Sequence, residues 1–130
     1  MYQAVTRKIR VTVEPRFVPE QSDPEEKQFF WAYTIEIANT GQERVQLRNR
    51  RWRITDGNGK LHEVEGPGVV GKQPFLKPGD VFEYTSGCPL TTPQGIMAGN
   101  YEMVTEAGEK FDVEVPAFSL DSPHAKRVLN

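Results

Sequence analysis

A glycine-rich segment near the middle of the chain has the GxGxxG spacing of dinucleotide-binding turns. It reads Gly66-Pro67-Gly68-Val69-Val70-Gly71. In a Rossmann unit such glycines join a strand to a helix, and the N-terminus of that helix binds a pyrophosphate. Pro74 and Pro78 follow shortly afterwards, and proline is incompatible with the interior of a helix. We therefore expect a loop between two strands and not a Rossmann turn.

Two interpretations of this loop stay open. In the first, the glycines allow positive φ angles and close packing. In the second, backbone amides of the loop form a nest for an anion, and a lysine supplies positive charge. The ligand in that case is a phosphate-containing small molecule, either pyrophosphate or a dinucleoside polyphosphate. The residues of this hypothesis are Gly66, Gly68, Val69, Val70, Gly71 and Lys72.

Arginines are concentrated just upstream of the loop. Guanidinium groups bind carboxylates and phosphates through paired hydrogen bonds, and arginine is enriched in protein interfaces. The run therefore indicates either a solvated strand face or a surface for an acidic partner. The residues of the predicted partner surface are Arg48, Arg50, Arg51 and Arg53.

Residues suited to catalysis are sparse. His62 and His124 are far apart in the sequence, and neither has metal-ligand spacing to Cys88. Cys88 is expected to be a small buried thiol. The acidic segment 20–26 lacks the ordered carboxylates of a calcium loop, and no nucleophile elbow, Walker A loop or zincin helix is present. We predict a protein that is not an enzyme and that has no cofactor and no metal ligands.

Length, charge and composition restrict the class of protein further. The 130 residues suffice for one domain, 1–130, with a core at about 5–120 and a polar tail at 121–130. A net charge of −2 argues against a nucleic-acid partner. No apolar run is long enough for membrane insertion, and a single cysteine fits a reducing compartment. We therefore expect a cytoplasmic protein.

Alternation of apolar and polar residues predicts an all-β protein. The expected strands lie at 9–13, 31–37, 45–54, 60–65, 81–85, 101–105 and 111–115. The apolar parity changes between Leu47 and Trp52, which predicts a bulge at 49–51 and places Trp52 inward. Tyr101 is either a tyrosine corner or a core tyrosine. The pattern favours a β-sandwich of the fibronectin type III or immunoglobulin kind, with about seven antiparallel strands.

The motifs taken together resemble the ApaG family. The similarity extends over about residues 5–120, although Arg51 stands where the family is expected to have histidine. The glycine pattern of the family maps to Gly66, Gly68 and Gly71. The shared residues are 20–24, 33–35, 39–41, 52–56, 66–74, 78–79 and 84–87, with Leu76, Phe82, Leu90, Pro93, Gly95, Met97, Gly99 and Tyr101.

The resemblance implies a fibronectin type III-like sandwich and an association with cobalt resistance and magnesium efflux. Similar domains in F-box proteins and in a polymerase-interacting protein imply a role in protein interaction. The leading hypothesis is therefore a non-enzymatic module that binds an unidentified protein partner. The alternatives are the anion site at the glycine-rich loop and a sensor of divalent cations. An unpaired edge strand also allows a homodimer.

Overall fold

The computed structural model describes residues 1–125, so positions 126–130 of the predicted polar tail lie outside the described residues. Within 1–125 the chain forms nine strands and two short 3₁₀ turns, the turns at Pro19–Gln21 and Pro24–Glu26. No helical segment in this part of the chain has the length and hydropathy needed to cross a bilayer. The strands are β1 Tyr2–Thr6, β2 Ile9–Phe17, β3 Phe29–Asn39, β4 Val45–Asp56, β5 Leu61–Pro67, β6 Phe75–Leu76, β7 Val81–Leu90, β8 Gly95–Thr105 and β9 Lys110–Leu120.

The strands form two antiparallel sheets packed face to face. The first sheet has the order β1-β2-β3-β7, and the second has the order β5-β4-β8-β9 with β6 paired to β4. This arrangement confirms the predicted all-β sandwich. The structure adds β1 and β6 to the predicted strands and extends β5 to Pro67, so Gly66 lies inside a strand.

The bulge predicted from the change of parity is present in β4. The register of β4 against β8 shifts between Leu47 and Asn49, which makes Arg48 the extra residue. The bulge thus lies one residue before the predicted window. Beyond it Trp52 and Ile54 are buried, as Val45 and Leu47 are before it. One extra residue therefore keeps apolar side chains in the core along the whole strand.

Aromatic rings connect the two sheets across the core. The ring of Trp52 meets Tyr33 at 5.8 Å and Tyr101 at 6.0 Å between centroids, both edge-on. The hydroxyl groups of Tyr84, in the first sheet, and Tyr101, in the second, share a hydrogen bond. Tyr101 is fully buried and is therefore a core tyrosine, the second of the two interpretations made from the sequence.

The buried carboxylate of Asp56 organises the turn between β4 and β5. Its Oδ1 atom accepts hydrogen bonds from the backbone N–H groups of Asn58 at 2.9 Å and Lys60 at 3.0 Å. Its Oδ2 atom lies 3.1 Å from Nε2 of His62. The hydrogen bond with His62, followed by that from the Lys60 amide, lowers the pKa of Asp56. The turn therefore sets the position of His62 at the start of β5.

Replacing Asp56 should change how the free energy of unfolding depends on pH. Because the pKa of Asp56 is lower in the folded state than the unfolded value of about 3.9, the carboxylate adds stability above that pH. That stability is lost as the pH falls through the folded pKa. We expect Asp56→Asn to lower the free energy of unfolding in urea at about pH 7, with a difference that shrinks on acidification.

The exposed turn residue Asp80 provides a control, because its Oδ2 atom accepts one backbone hydrogen bond, from Lys77 at 2.9 Å. Asp80→Asn should have the smaller effect at neutral pH. An Asp56→Asn effect of constant size between neutral and acidic pH contradicts this account of the turn.

Candidate functional site

A groove runs between one edge of each sheet. Its two rims are β5, the edge of the second sheet, and β7, the edge of the first. The cavity between them has a volume of about 740 Å³, which is within the range of small-molecule pockets. On the opposite side, β1 and β9 are joined by hydrogen bonds from the Glu114 amide to the Thr6 hydroxyl and from the Ser119 amide to the Tyr2 hydroxyl. The sandwich is thus closed along one side and open along the other.

The groove is lined mainly by apolar side chains. Two rim residues, His62 and Val64, come from the inner face of β5, and Gln21, Lys27 and Gln28 lie at one end. Among the described residues that line the cavity there is no aspartate or glutamate. The remaining lining residues are Phe29, Phe30, Tyr33, Arg50, Trp52, Ile54, Ser86, Gly87, Cys88, Pro89, Leu90, Thr91 and Met97.

A smaller cavity of about 230 Å³ joins this groove to the glycine-rich loop. Val69, Val70 and Gly71 of the loop line it together with Tyr84. It shares Tyr33, Arg50, Trp52 and Ser86 with the groove. Because the lining is shared, the loop predicted from the GxGxxG pattern lies beside the groove.

The glycine-rich loop is a tight hairpin. The Val69 and Lys72 backbones exchange N–H···O bonds of 2.8 and 2.9 Å, and the two residues between them, Val70 and Gly71, have φ angles of 45° and 77°. Two positive φ angles are the signature of a type I′ turn. At Gly68, with φ of 63°, a Cβ atom would lie 2.3 Å from the Lys72 carbonyl oxygen. Gly68 is therefore required for close backbone approach.

The same hairpin uses several of the amides that the anion hypothesis needs. The amide of Gly68 donates to the Arg48 carbonyl at 2.9 Å, and those of Val69 and Lys72 close the turn. Anion binding by Gly66, Gly68, Val69, Val70, Gly71 and Lys72 stays a prediction. The amides of Val70 and Gly71, at the tip, are the ones to monitor in a titration.

The four arginines of the predicted partner surface do not share one face. Arg48 is the bulge residue and is exposed, with Nε donating to Gln46 at 2.7 Å. Arg51 and Arg53 are exposed on the outer face, in register with Glu65 and Glu63, and Arg51 Nε lies 3.7 Å from Glu65 Oε1. Arg50 is half-buried and lines both cavities. The partner surface predicted from Arg48, Arg50, Arg51 and Arg53 remains a prediction.

Arg50 connects β4 to the glycine-rich loop. Its Nη1 atom donates to the carbonyl oxygens of Pro67 and Gly68, each at 3.0 Å. A Cβ atom on Gly66 would lie 3.0 Å from Nη2 of the same guanidinium, so the absent side chain at Gly66 makes room for it. The predicted loop and one of the predicted arginines therefore meet at a single point of the groove.

One thiol and three phenol groups in and beneath the groove are held in their protonated forms. Cys88 is buried, and burial raises the pKa of its thiol to about 11. Burial also raises the pKa values of Tyr33, Tyr84 and Tyr101. A protonated thiol is a weak nucleophile, so Cys88 is poorly suited to nucleophilic attack near neutral pH.

The two histidines lie in different surroundings. His62 is beside Asp56, whereas His124 packs against Phe17 and Phe29 at 5.8 and 6.0 Å between ring centroids. Within residues 1–125 no three histidine, cysteine, aspartate or glutamate side chains gather in a way that would hold a metal ion.

Most of the residues that line the groove carry no signal in the sequence. Phe29, Val64, Ser86 and Met97 come from four different strands, and their meeting depends on the order of strands in the sheets. Arg50 could have been identified from the sequence. It lies two residues before Trp52 on the same strand and therefore faces the same side, and Trp52 was correctly predicted to face inward.

The chain is similar to several known proteins. A family model described as the ApaG domain matches residues 19–105. The proteins named Protein ApaG from Methylorubrum populi and Beijerinckia indica are 65% and 62% identical over 130 residues, with full coverage of both chains in each case. A crystal structure described as an ApaA protein from Bordetella pertussis has a TM-score of 0.86 and 52% identity, covering 90% of this chain and 95% of that one. None of these names states a catalytic activity.

The positive φ angle of Val70 predicts that this position is strained. A β-branched residue is poorly suited to a φ of 45°, whereas an Asn-Gly pair is the preferred centre of a type I′ turn. We expect Val70→Asn to raise the free energy of unfolding by about 1 kcal/mol. Gly71→Ala should lower it by about 1 kcal/mol, because its Cβ atom would meet nothing within 4 Å and only the backbone conformation is affected. Urea unfolding of both variants checks the signs, and a stabilising Gly71→Ala is inconsistent with this turn.

The raised pKa of Cys88 predicts slow alkylation of the folded protein. With a pKa of about 11, against about 8.5 for a free thiol, the thiolate fraction near pH 8 falls by about two orders of magnitude. Iodoacetamide should therefore react at least about 100-fold more slowly with the native protein than with the urea-unfolded chain. The native rate should keep rising with pH beyond the point where the unfolded rate reaches its plateau. Equal rates in the two states argue against a buried thiol.

Proposed function

The chain belongs to the ApaG family, and we propose that it is a non-enzymatic protein-binding module whose groove holds an extended segment of a partner protein. The observation that carries this proposal is the cavity of about 740 Å³ bounded by two edge strands. A cleft of this size can take several consecutive side chains of a peptide.

The edge strands supply backbone groups for such a segment. Within the described residues, β5 pairs only with β4, and β7 pairs only with β3, so each has one side free of strand partners. An extended peptide can add to such an edge by main-chain hydrogen bonds, while pockets beneath it select its side chains. Val64, which is 41% exposed, and the less exposed Phe29 and Leu90 provide apolar surface of the kind that this mode requires.

Charge complementarity favours an acidic segment. The cationic side chains that line the groove are Lys27 and Arg50, and none of the cavity-lining residues in the part of the chain that the structure describes is acidic. The protein as a whole carries a net charge of −2. The groove thus differs in charge from the rest of the molecule, which suits an occupant that combines apolar and acidic side chains.

A module of this kind accommodates the other roles that the family resemblance implies. An association with cobalt resistance and magnesium efflux is compatible with action through a protein partner. Direct sensing of divalent cations stays a hypothesis, and calorimetry with cobalt and magnesium tests it. A homodimer formed through an edge strand also stays a prediction, and sedimentation equilibrium tests that.

Selection from a library of displayed peptides tests the proposed groove. We expect purified wild-type protein to enrich extended sequences rich in apolar and acidic residues. Val64→Glu places a like charge in the groove and should weaken binding of a selected peptide at least about tenfold, equivalent to about 1.4 kcal/mol. Isothermal titration calorimetry with a synthetic selected peptide measures the loss.

Leu61→Glu is the matched control. Leu61 is on the same strand and is 51% exposed, against 41% for Val64, but it lies on the outer face. Its substitution should change affinity less than about twofold, as expected for a surface position outside the interface. If no peptide is enriched, or if both variants bind equally well, the groove is not the binding site.

A further inference from the structure

We infer that Arg50 is the group that recognises the acidic residue of the bound segment, by pairing its guanidinium with a side-chain carboxylate. This inference rests on the proposed function, because it names the chemistry that the groove selects. Arg50 lies where the groove of about 740 Å³ meets the smaller cavity of about 230 Å³. An anionic side chain entering from the groove therefore reaches it directly.

The guanidinium is held in position by backbone and not by charge. Its Nη1 atom donates to the carbonyls of Pro67 and Gly68, which are neutral acceptors. No carboxylate within residues 1–125 lies within salt-bridge distance of the Arg50 guanidinium. The neighbouring Arg51, by contrast, lies within that distance of Glu65. Arginine carries five N–H donors, so donors remain for a ligand after the two carbonyls are satisfied.

The surroundings of Arg50 make its positive charge costly to leave unpaired, and an anionic ligand would pair with it. Arg50 is half-buried, and aromatic residues line both of the cavities that it reaches. A charge in such a place is stabilised when an opposite charge binds with it. Tyr33 and Ser86, which carry hydroxyl groups, line both cavities as well.

The geometry favours a carboxylate over a polyphosphate. A planar guanidinium matches a carboxylate through two parallel hydrogen bonds. A pyrophosphate carries more charge and needs several donors, yet the amides of Gly68, Val69 and Lys72 are already bonded within the hairpin. Lys72 is exposed and does not line either cavity. One arginine in an apolar groove is better matched to one carboxylate with an apolar neighbour.

Small ligands test this inference even though the partner is unidentified. Hexanoate combines a carboxylate with an apolar chain, and hexanamide has nearly the same shape without charge. We expect hexanoate to shift the Arg50 Nε–H resonance and the Gly66 amide saturably in ¹⁵N NMR titrations. Its dissociation constant should be at least about tenfold lower than that of hexanamide, and the difference should shrink as salt is added.

Variants of Arg50 and Arg53 identify the residue responsible for the preference for hexanoate over hexanamide. Arg50→Gln should remove the preference for hexanoate, and Arg50→Lys, which keeps the charge but not the fork, should retain part of it. Arg53→Gln, on the outer face of the same strand, should leave it unchanged. The amide spectrum of each variant establishes that it is folded, and the comparison of hexanoate with hexanamide on wild-type protein needs no variant at all.

Three outcomes overturn the inference. Equal affinity of the wild-type protein for hexanoate and hexanamide is the first, and an unchanged preference in folded Arg50→Gln is the second. The third is inorganic pyrophosphate shifting the Val70 and Gly71 amides while hexanoate leaves Arg50 unmoved, which assigns the anion to the loop. Each of these leaves the peptide groove standing if the selected peptides still lose affinity in Val64→Glu. If peptide selection fails but hexanoate still binds at Arg50, the proposed peptide groove is wrong and Arg50 remains a carboxylate-binding group.

Discussion

The asymmetric closure of the sandwich is the constraint on which the rest of the structure depends. Along one side, β1 and β9 bond to each other through Thr6 and Tyr2, so the two sheets meet. Inside the sandwich, the ring of Trp52 meets Tyr33 of the first sheet and Tyr101 of its own sheet, edge-on in both cases. Aromatic side chains fix the spacing of packed layers by their size and edge-on contacts. The groove is the part of the space between the sheets that stays open between the edge strands β5 and β7.

A single inserted residue decides what faces this groove. Before the bulge, Val45 and Leu47 point into the core, and after it Trp52 and Ile54 do. With a period of two along a strand, one extra residue moves every later side chain to the opposite face. Arg50 consequently faces the cavity while Arg51 and Arg53 face outward beside Glu65 and Glu63. The same bulge therefore serves both core packing and the chemistry of the groove.

The sequence predicted the architecture better than the site, and the reason is physical. Alternation reports which face of a strand is buried, so strands near 9–13, 31–37 and 45–54 and the inward Trp52 were predictable. β1 and β6 were not, because Tyr2–Thr6 is only partly buried and Phe75–Leu76 is two residues long. The groove joins Phe29, Val64 and Ser86, which come together through strand order, and periodicity carries no information about strand order. The GxGxxG pattern predicted a loop whose glycines allow positive φ angles or close packing. The structure shows both at Gly68, within a tight hairpin that the pattern did not predict.

The location of β1 has a consequence for how such a domain is combined with others. β1 is the edge of the first sheet farthest in strand order from β7 and the groove, and Met1 before it is exposed. A polypeptide fused ahead of Tyr2 leaves from the closed side of the sandwich. It can therefore be long, folded or attached to a surface without obstructing the groove. The point of attachment and the groove therefore lie at opposite edges of the sandwich.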